Sequence, residues 1–389
     1  MNTILDQFAQ AAQHPYEHVR AWKQAQGVKV VGSFPMHFPA EVVHAAGALP
    51  VILQELPNPI TSGGAAMFPF FCGYTRSIVD QATEGQLDFV DAIMFTDNCV
   101  QLLSAADVMR IVRPEKTIHF HQLIASLAQP WSLESSIKTL RSLVEGMEEV
   151  LDVVITEDAL RNSICLFNEN RRLIRNLYQL RRTGAITLRA SQMQHIVKSG
   201  MVMDKQQHTA LLRELTASLQ SGASKRSTAV PIYISGHLCQ APKPEILDLI
   251  EDCGVVIVDD DLYHGYRYVS TDVEEGIVDP IQALAAAYIK KNSNAPCPTR
   301  IDPDTDWDAW LLRAVDACGA KGLIVLMAKF CEPHYFQYPL IKEAFDSNNV
   351  PQLLIETEHE GVAMENMRTK VESFAEMIKR QSAAMVVNS

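Results

Sequence analysis

The chain has 389 residues and carries 34 Lys plus Arg against 46 Asp plus Glu, a formal charge of −12; at roughly 150 residues per domain, that length predicts two or three domains. Apolar residues make up 47% and charged residues 21%, a globular mix that excludes a disordered, collagen-like or small disulfide-stapled chain. The acidic surplus argues against DNA or RNA as the main partner, because such binding rests on basic surface, and no apolar run approaches the roughly 18 residues of a membrane helix.

Residues 1–27 (MNTILDQFAQAAQHPYEHVRAWKQAQG) lack a charged start followed by an apolar block and are expected to form an N-terminal amphipathic helix rather than a signal peptide. The expected location is therefore the cytoplasm, where disulfides are rare. Eight cysteines then require another explanation in packing, chemistry or metal binding.

Short apolar strands alternate with helices from 28 to 131. Strands are predicted at Val28–Gly32, Ala48–Leu53, Val90–Phe95 and Thr117–Phe120, with helices at Pro39–Gly47, Gly73–Glu84 and Val100–Arg110. This rhythm predicts βαβ units and a parallel sheet. Strand signals vanish over 132–221, where long charged helices such as ICLFNENRRLIRNLYQLRR take over, and the polar stretch SGASKRSTA reads as a linker. The rhythm resumes over 222–389. Strands are predicted at Val230–Ser235, Val255–Val258, Gly322–Ala328 and Gln352–Ile355, with helices at Pro244–Asp252 and Trp307–Ala317 and at the C-terminus. The expected fold is α/β: two doubly wound parallel-sheet domains, Rossmann-like or flavodoxin-like, joined by a helical segment.

Ligands of open α/β sheets sit beyond the carboxyl ends of the strands. Cys99, Cys239 and Cys331 each follow a predicted strand, and Cys72 lies in the aromatic loop FPFFCGYTRS entering a helix. The other four read as structural: Cys253 and Cys318 end helices, Cys165 lies inside one, and Cys297 sits in the loop APCPT. There is no CxxC pair, which removes zinc ribbons, thioredoxin-like redox chemistry and ferredoxin-type clusters. A P-loop, a GxGxxG after a strand, HExxH and GxSxG are also missing from the sequence. A metal site assembled from distant cysteines at the interdomain cleft stays open, beside plain packing.

The segments GSFPMHFPAEVVHAAGALPV, FCGYTRS, LDFVDAIMFTDNC, EDCGVVIVDDDLYHGYR and AKFCEPH together resemble the benzoyl-CoA reductase and 2-hydroxyacyl-CoA dehydratase family, specifically its non-ATPase core subunits. The likeness runs from about Val28 to the C-terminal helix and leans toward a benzoyl-CoA reductase core subunit. It implies an iron–sulfur cluster, a [4Fe-4S] cubane or half of a double-cubane cluster, held by Cys72, Cys99 and Cys331, with one iron not held by cysteine. Cys239 has no counterpart among those ligands. It also implies an oxidoreductase that delivers low-potential electrons to a thioester-activated aromatic ring in anaerobic aromatic degradation. The partners would be a related core subunit, an acyl-CoA substrate and a separate ATP-hydrolysing activator, in keeping with the missing P-loop.

Alternatives are a 2-hydroxyacyl-CoA dehydratase subunit, a homodimeric double-cubane reductase of small molecules, and a metal-free two-domain protein that captures small ligands. His37, where the first strand hands over to a helix, is the candidate proton donor, because histidine titrates near neutrality; an ordinary hydrogen-bonding histidine is the plainer reading. Glu41 reads mainly as a helix N-terminal carboxylate. Tyr74 and Arg76 either orient the centre or pack. Arg171, Arg172, Arg175, Arg181 and Arg182 form a basic stretch suited to CoA phosphates, or a solvated or intersubunit helix face. Asp259–Asp261 suggest either a divalent cation or an acidic turn.

Overall fold

The computed structural model describes residues 3–96, 98–219, 229–361 and 363–387, with side chains to 381. Residues 221–228, most of the predicted linker, lie outside the described residues.

The first sheet is built from β1 (Val30–Ser33), β2 (Leu49–Ile52), β3 (Ala92–Thr96) and β4 (Thr117–His121), in the spatial order β2-β1-β3-β4. The second uses β5 (Val230–Gly236), β6 (Val255–Asp260), β7 (Leu323–Ala328) and β8 (Gln352–Thr357), in the order β6-β5-β7-β8. Every strand pairing in both is parallel. The two sheets thus share one topology, with the strand order reversing between β1 and β3 and between β5 and β7. β1, β3 and β7 are buried along their whole length, as expected of parallel strands covered on both faces. This confirms the α/β, doubly wound expectation.

The N-terminal segment is two helices rather than one. α1 (Thr3–Gln13) and α2 (Pro15–Gln26) are separated at His14, and Pro15 opens the second. Proline cannot donate the hydrogen bond that a continuous helix needs there, but it suits a first turn. Left-handed Gly27 then ends α2 (φ +65°). The first sheet also carries α3 (Ala40–Ala45), α4 (Gly73–Thr83) and α5 (Val100–Val112).

The middle of the chain folds as α6 (Ser132–Leu151), α7 (Glu157–Arg182), α8 (Ala190–Ser199) and α9 (Lys205–Leu219). Leu177, Ile196 and Leu212 enter the same apolar core as Val30, Ile93 and Phe95 of the first sheet. The second sheet adds α10 (Pro244–Asp252), the short α11 (Tyr266–Val269), α12 (Pro280–Asn294), α13 (Trp307–Ala317), α14 (Glu332–Ser347) and α15 (Met364–Val387). α12 does not cover its own sheet. Leu284 and Ala285 pack with Val31 and Met94 of the first sheet and Leu143 of α6. The chain then returns past a bridge between Ser126 and Ile301. The excursion carries residues 295–300 across the groove between the sheets.

One buried network fixes that excursion. Arg267 and Asp261 form an ion pair at 2.9 Å with side chains 1% and 0% exposed. Trp307 Nε1 donates to the same carboxylate at 2.8 Å. Arg267 also donates to the carbonyls of Asp261, Ala295 and Pro296. The guanidinium thereby ties the end of β6 to the loop that precedes Cys297. Arg267→Met would leave the Asp261 carboxylate buried without its cation. The expected loss is about 3–5 kcal/mol, read as a lowered urea unfolding midpoint; an unchanged midpoint would contradict the network's role.

Candidate functional site

Each of the three cysteines Cys72, Cys99 and Cys331 is the N-cap residue of a helix, α4, α5 and α14 respectively. None of the three sulfurs is spent on capping its own helix by hydrogen bond. Three positive helix ends therefore converge where the sulfurs lie, a setting that favours anionic sulfur. All three line one hollow between the sheets, together with Cys239, Cys297, Asn98, Thr75 and Gln101.

The hollow lies at the carboxyl ends of β3, β5 and β7, beside both points of strand-order reversal. The turns there adopt unusual backbone. His237 (φ +42°) after β5 and Phe330 (φ +66°) after β7 are left-handed non-glycine residues, as is Met36 (φ +93°) after β1 in the neighbouring pocket of His37, a conformation held only where surroundings over-determine it. Gly236 is obligatory, because a Cβ there would lie 2.1 Å from the Leu326 carbonyl.

Two side-chain amides organise the walls. Gln101, in the first turn of α5, accepts from the Cys72 backbone N–H at 2.8 Å and donates to the Phe330 carbonyl at 2.9 Å. A single amide thus clasps the starts of α4, α5 and α14 together, across 229 residues of chain. Asn98 donates to Cys239 Sγ at 3.4 Å, and its oxygen accepts from the Thr299 hydroxyl at 3.4 Å. Thr75 Oγ1 lies 3.1 Å from Cys72 Sγ, and Thr299 Oγ1 lies 3.1 Å from Cys297 Sγ.

The thiols are electrostatically crowded. Burial pushes the Cys72 thiol up. Burial raises Cys331 too, with Cys72, Cys99 and Cys297 adding to the rise. Cys239 is driven well above the ordinary thiol value by burial and then by Cys99, Cys331, Cys72 and Cys297. Among the described residues, no Lys, Arg or His lines the hollow. Several thiolates can coexist there only beside a strong positive charge, and a bound metal supplies one while deprotonating its thiols. All eight cysteines are free thiols.

The donor set, thiols without His, Lys or Arg among the described lining residues, is the type that holds iron–sulfur clusters. Among the described residues, no three His, Cys, Asp or Glu side chains are grouped to hold one metal ion. Sulfurs around one tetrahedral ion lie about 4 Å apart, given metal–sulfur bonds of about 2.3 Å. A cluster instead offers each thiolate its own iron, so its ligands stand farther apart.

Several sequence expectations change in this setting. Cys297, read as structural, faces the hollow; it follows no strand and arrives only because α12 crosses to the other sheet. Cys165, read as a buried small hydrophobe, is exposed on α7. Every arginine of the basic stretch meets a carboxylate, Arg172 at half exposure and Arg181 buried. Arg171 pairs with Glu41, Arg172 with Asp272 and Glu275, Arg175 with Asp272, Arg181 with Glu251 and Arg182 with Asp259. Asp260 accepts from Tyr178 at 2.8 Å and Asp261 from Arg267 and Trp307, so the aspartate triplet is spent on internal partners rather than a cation. Glu41 is buried; burial alone would raise its pKa, but Arg171 brings it below the ordinary value. Tyr74 lines the hollow and donates to the Leu53 carbonyl at 2.9 Å, and Arg76 pairs with Glu360 at 3.0 Å.

His37 does not line the hollow. It lies in adjoining pockets with Tyr288 and Lys291, one of which shares Cys297 with the hollow. Neither ring nitrogen has a hydrogen-bond partner among the described residues. Burial, then Arg300, Lys291 and Arg267, hold its pKa well below the ordinary value, so the ring is neutral.

A larger cavity of about 350 Å³ adjoins the hollow, with Gln240 in the walls of both. Arg76, Lys198, Lys243 and Lys329 line it, and burial lowers Lys198 to about 8. His359 closes one side against Gly73, where a Cβ would meet its own Cβ at 2.7 Å. Its ring binds Glu55 at 2.7 Å and the Asn58 carbonyl at 2.8 Å.

The sequence profile described as 2-hydroxyglutaryl-CoA dehydratase, D-component, matches residues 35–378. The chain is 27% identical to a benzoyl-CoA reductase subunit of Thauera aromatica, over 92% of this chain and 94% of the relative. It is 28% identical to the beta subunit of lactoyl-CoA dehydratase of Anaerotignum propionicum, over 97% and 99%. It is 24% identical to the beta subunit of (R)-2-hydroxyglutaryl-CoA dehydratase of Acidaminococcus fermentans, over 97% and 100%.

Two outcomes test the local architecture. Gln101→Leu strips partners from the Cys72 N–H and the Phe330 carbonyl, each worth about 1–3 kcal/mol when left unsatisfied. Faster hydrogen exchange at the Cys72 amide, with exchange in β3 and β7 unchanged, is expected. Burial alone would lower the His359 pKa, but Glu55 and the Asn58 carbonyl overturn this and raise it. The stability it contributes is complete below about pH 6.5 and is lost as pH rises through the raised folded value. Glu55→Gln should flatten that slope in urea titrations; an unaltered slope would remove His359 as its source.

Proposed function

The chain belongs to the 2-hydroxyglutaryl-CoA dehydratase D-component family, and from that premise we propose that it is the iron–sulfur core subunit of an ATP-dependent aromatic acyl-CoA reductase of the benzoyl-CoA reductase type. The observation that carries this reading is the convergence of Cys72, Cys99 and Cys331, each at a helix N-terminus, on one hollow free of basic side chains among the described residues. When bound, the cluster would supply single electrons at low potential. The residues around it have separate tasks. The three helix ends and the Thr75 hydroxyl stabilise anionic sulfur. Gln101 holds the three ligand-bearing turns in register.

The 350 Å³ cavity is the proposed acyl-CoA chamber, its size that of a small-molecule pocket. Lys198 and Lys243 in its wall take the place of the carboxylate-paired arginines of α7 as candidates for the CoA phosphates, Arg76 and Lys329 being paired with Glu360 and Glu358. His37, whose buried ring is neutral, lines neither the hollow nor the chamber, so its proposed part in proton handling is confined to the pocket that shares Cys297 with the hollow. Phe68, Phe70, Val100 and Phe336, close to the cysteines in sequence, are exposed, which suits a mouth closed by a related subunit; the relatives are named as subunits. Among the described residues no helix is long and apolar enough to cross a membrane.

A second reading has equal support in similarity: a 2-hydroxyacyl-CoA dehydratase subunit, favoured by the relatives named lactoyl-CoA and 2-hydroxyglutaryl-CoA dehydratase. Anaerobic assay with the partner subunit and an ATP-dependent activator separates the two. Ring reduction of benzoyl-CoA is expected; elimination of water from a 2-hydroxyacyl-CoA instead would establish the dehydratase. Cys72→Ser, Cys99→Ser and Cys331→Ser should each lose most iron and acid-labile sulfide after anaerobic reconstitution, whereas the exposed Cys165→Ser should retain both. His37→Gln should lower turnover with the iron content intact, and unchanged turnover would remove it from the reaction.

A further inference from the structure

We propose that Gln240 and His237 form the subsite for the two secondary amides in the pantetheine arm of an acyl-CoA thioester, Gln240 taking the amide nearer the sulfur and His237 the one beyond it. This rests on the acyl-CoA reading of the large cavity and deepens it by naming what holds the arm. It applies to an aromatic acyl group and to a 2-hydroxyacyl group alike, because the arm is common to both.

Two buried acceptors in the cavity wall lack donors. The Gln240 side chain lines the cavity, Gln240 is 6% exposed, and its Oε1 accepts no hydrogen bond among the described residues. His237 lines the same cavity at 4% exposure, and its Nδ1 also has no partner among them. The other ring nitrogen fixes the tautomer. Thr357 donates its hydroxyl proton to the Met327 carbonyl at 3.4 Å, so its oxygen accepts from His237 Nε2–H at 2.7 Å. Burial lowers the His237 pKa to about 3 and keeps the ring neutral, which leaves Nδ1 a bare acceptor. Buried polar atoms of native proteins are normally satisfied, and an exception marks a place where a ligand can complete the bond.

The loop that carries both residues is pinned along its length. Gly236 passes against the Leu326 carbonyl, and His237 itself is left-handed. Beyond Gln240, Gln194 of α8 donates to the Pro242 carbonyl at 2.7 Å and Lys243 donates to the His359 carbonyl at 3.1 Å. Both acceptors are therefore held where they stand.

Place and chemistry then select the ligand group. Gln240 borders both the cavity and the cysteine-lined hollow, whereas His237 borders the cavity alone. A ligand arm running from the cavity to the hollow reaches Gln240 last. Two acceptors in that order suit a chain with two N–H donors. The pantetheine arm carries two secondary amides between its sulfur and the nucleotide, and its sulfur would point the acyl group at the hollow. Gln240 suits a secondary amide in a second way, since its own NH₂ can donate back to the amide carbonyl.

The test measures binding of benzoyl-pantetheine and two analogues to the full, anaerobically reconstituted chain by isothermal titration. Each analogue replaces one amide N–H by an ester oxygen, which removes a donor and little else. The wild type should bind each analogue about tenfold more weakly than the parent. In Gln240→Met the penalty for the replacement nearer the sulfur should vanish while the other persists, and in His237→Phe the reverse. Gln240→Glu, which retains an acceptor, should restore the first penalty. Equal binding of all three ligands to the wild type would overturn the proposal, as would penalties that neither substitution removes. So would an equal weakening of all three ligands in both variants, which is the mark of a structural role. If circular dichroism shows the His237 variant unfolded, the wild-type comparison and the Gln240 variants stand without it. A wild type that binds neither benzoyl-pantetheine nor benzoyl-CoA would instead overturn the acyl-CoA reading of the cavity.

Discussion

The site depends on one side-chain amide. Gln101 is bound at both ends, to the backbone N–H of Cys72 and to the carbonyl of Phe330. Both partners sit at or beside cysteines at the start of helices, and Gln101 itself lies two residues after the third. Without that clasp, three helix ends from two separate sheets would lose a directional tie that apolar packing does not supply. The hydrogen bonds fix what burial leaves free.

Around this clasp the protein bears several local costs. It holds three non-glycine turns in left-handed conformation and brings five sulfurs together without a basic side chain among the described lining residues. Each raises the free energy of the metal-free chain. A bound cationic centre would relieve the sulfur crowding directly, so binding of the centre and stability of the fold are coupled. The remaining rigidity comes from Arg267, whose buried guanidinium ties β6, the loop before Cys297 and, through Asp261, Trp307 of α13.

Charge is distributed by the same logic. A dense arginine run on α7 of an acidic chain has the spacing of a docking strip, but each arginine of that run faces a carboxylate brought from elsewhere in the fold. Asp259, Asp272 and Glu275 come from β6 and the segment that follows it, so the pairs fasten the second half of the chain onto the central helices. Lys198 on α8 and Lys243 in the loop after β5 lie instead in the wall of the large cavity.

Local sequence determined the elements and the class of fold. Alternating apolar runs and helices marked all eight strands, most clearly where a parallel strand is buried on both faces and continuously apolar, as LIVLMA is. The positional rule for strand ends also picked out Cys99, Cys239 and Cys331, since it follows from chain direction alone. The structure brings those three and Cys72 to one hollow. Cys297, Gln101 and Asn98 gave no such signal. Their roles arise from contacts across 29 to 229 residues of chain, including a helix that packs on the other sheet. The arginine run behaved likewise: its partners are set by tertiary folding, while its spacing on α7 is set by the helix. Period and turn chemistry are local and can be read from neighbours in sequence, but which side chain meets which sulfur is decided by long-range packing, and no local pattern encodes it.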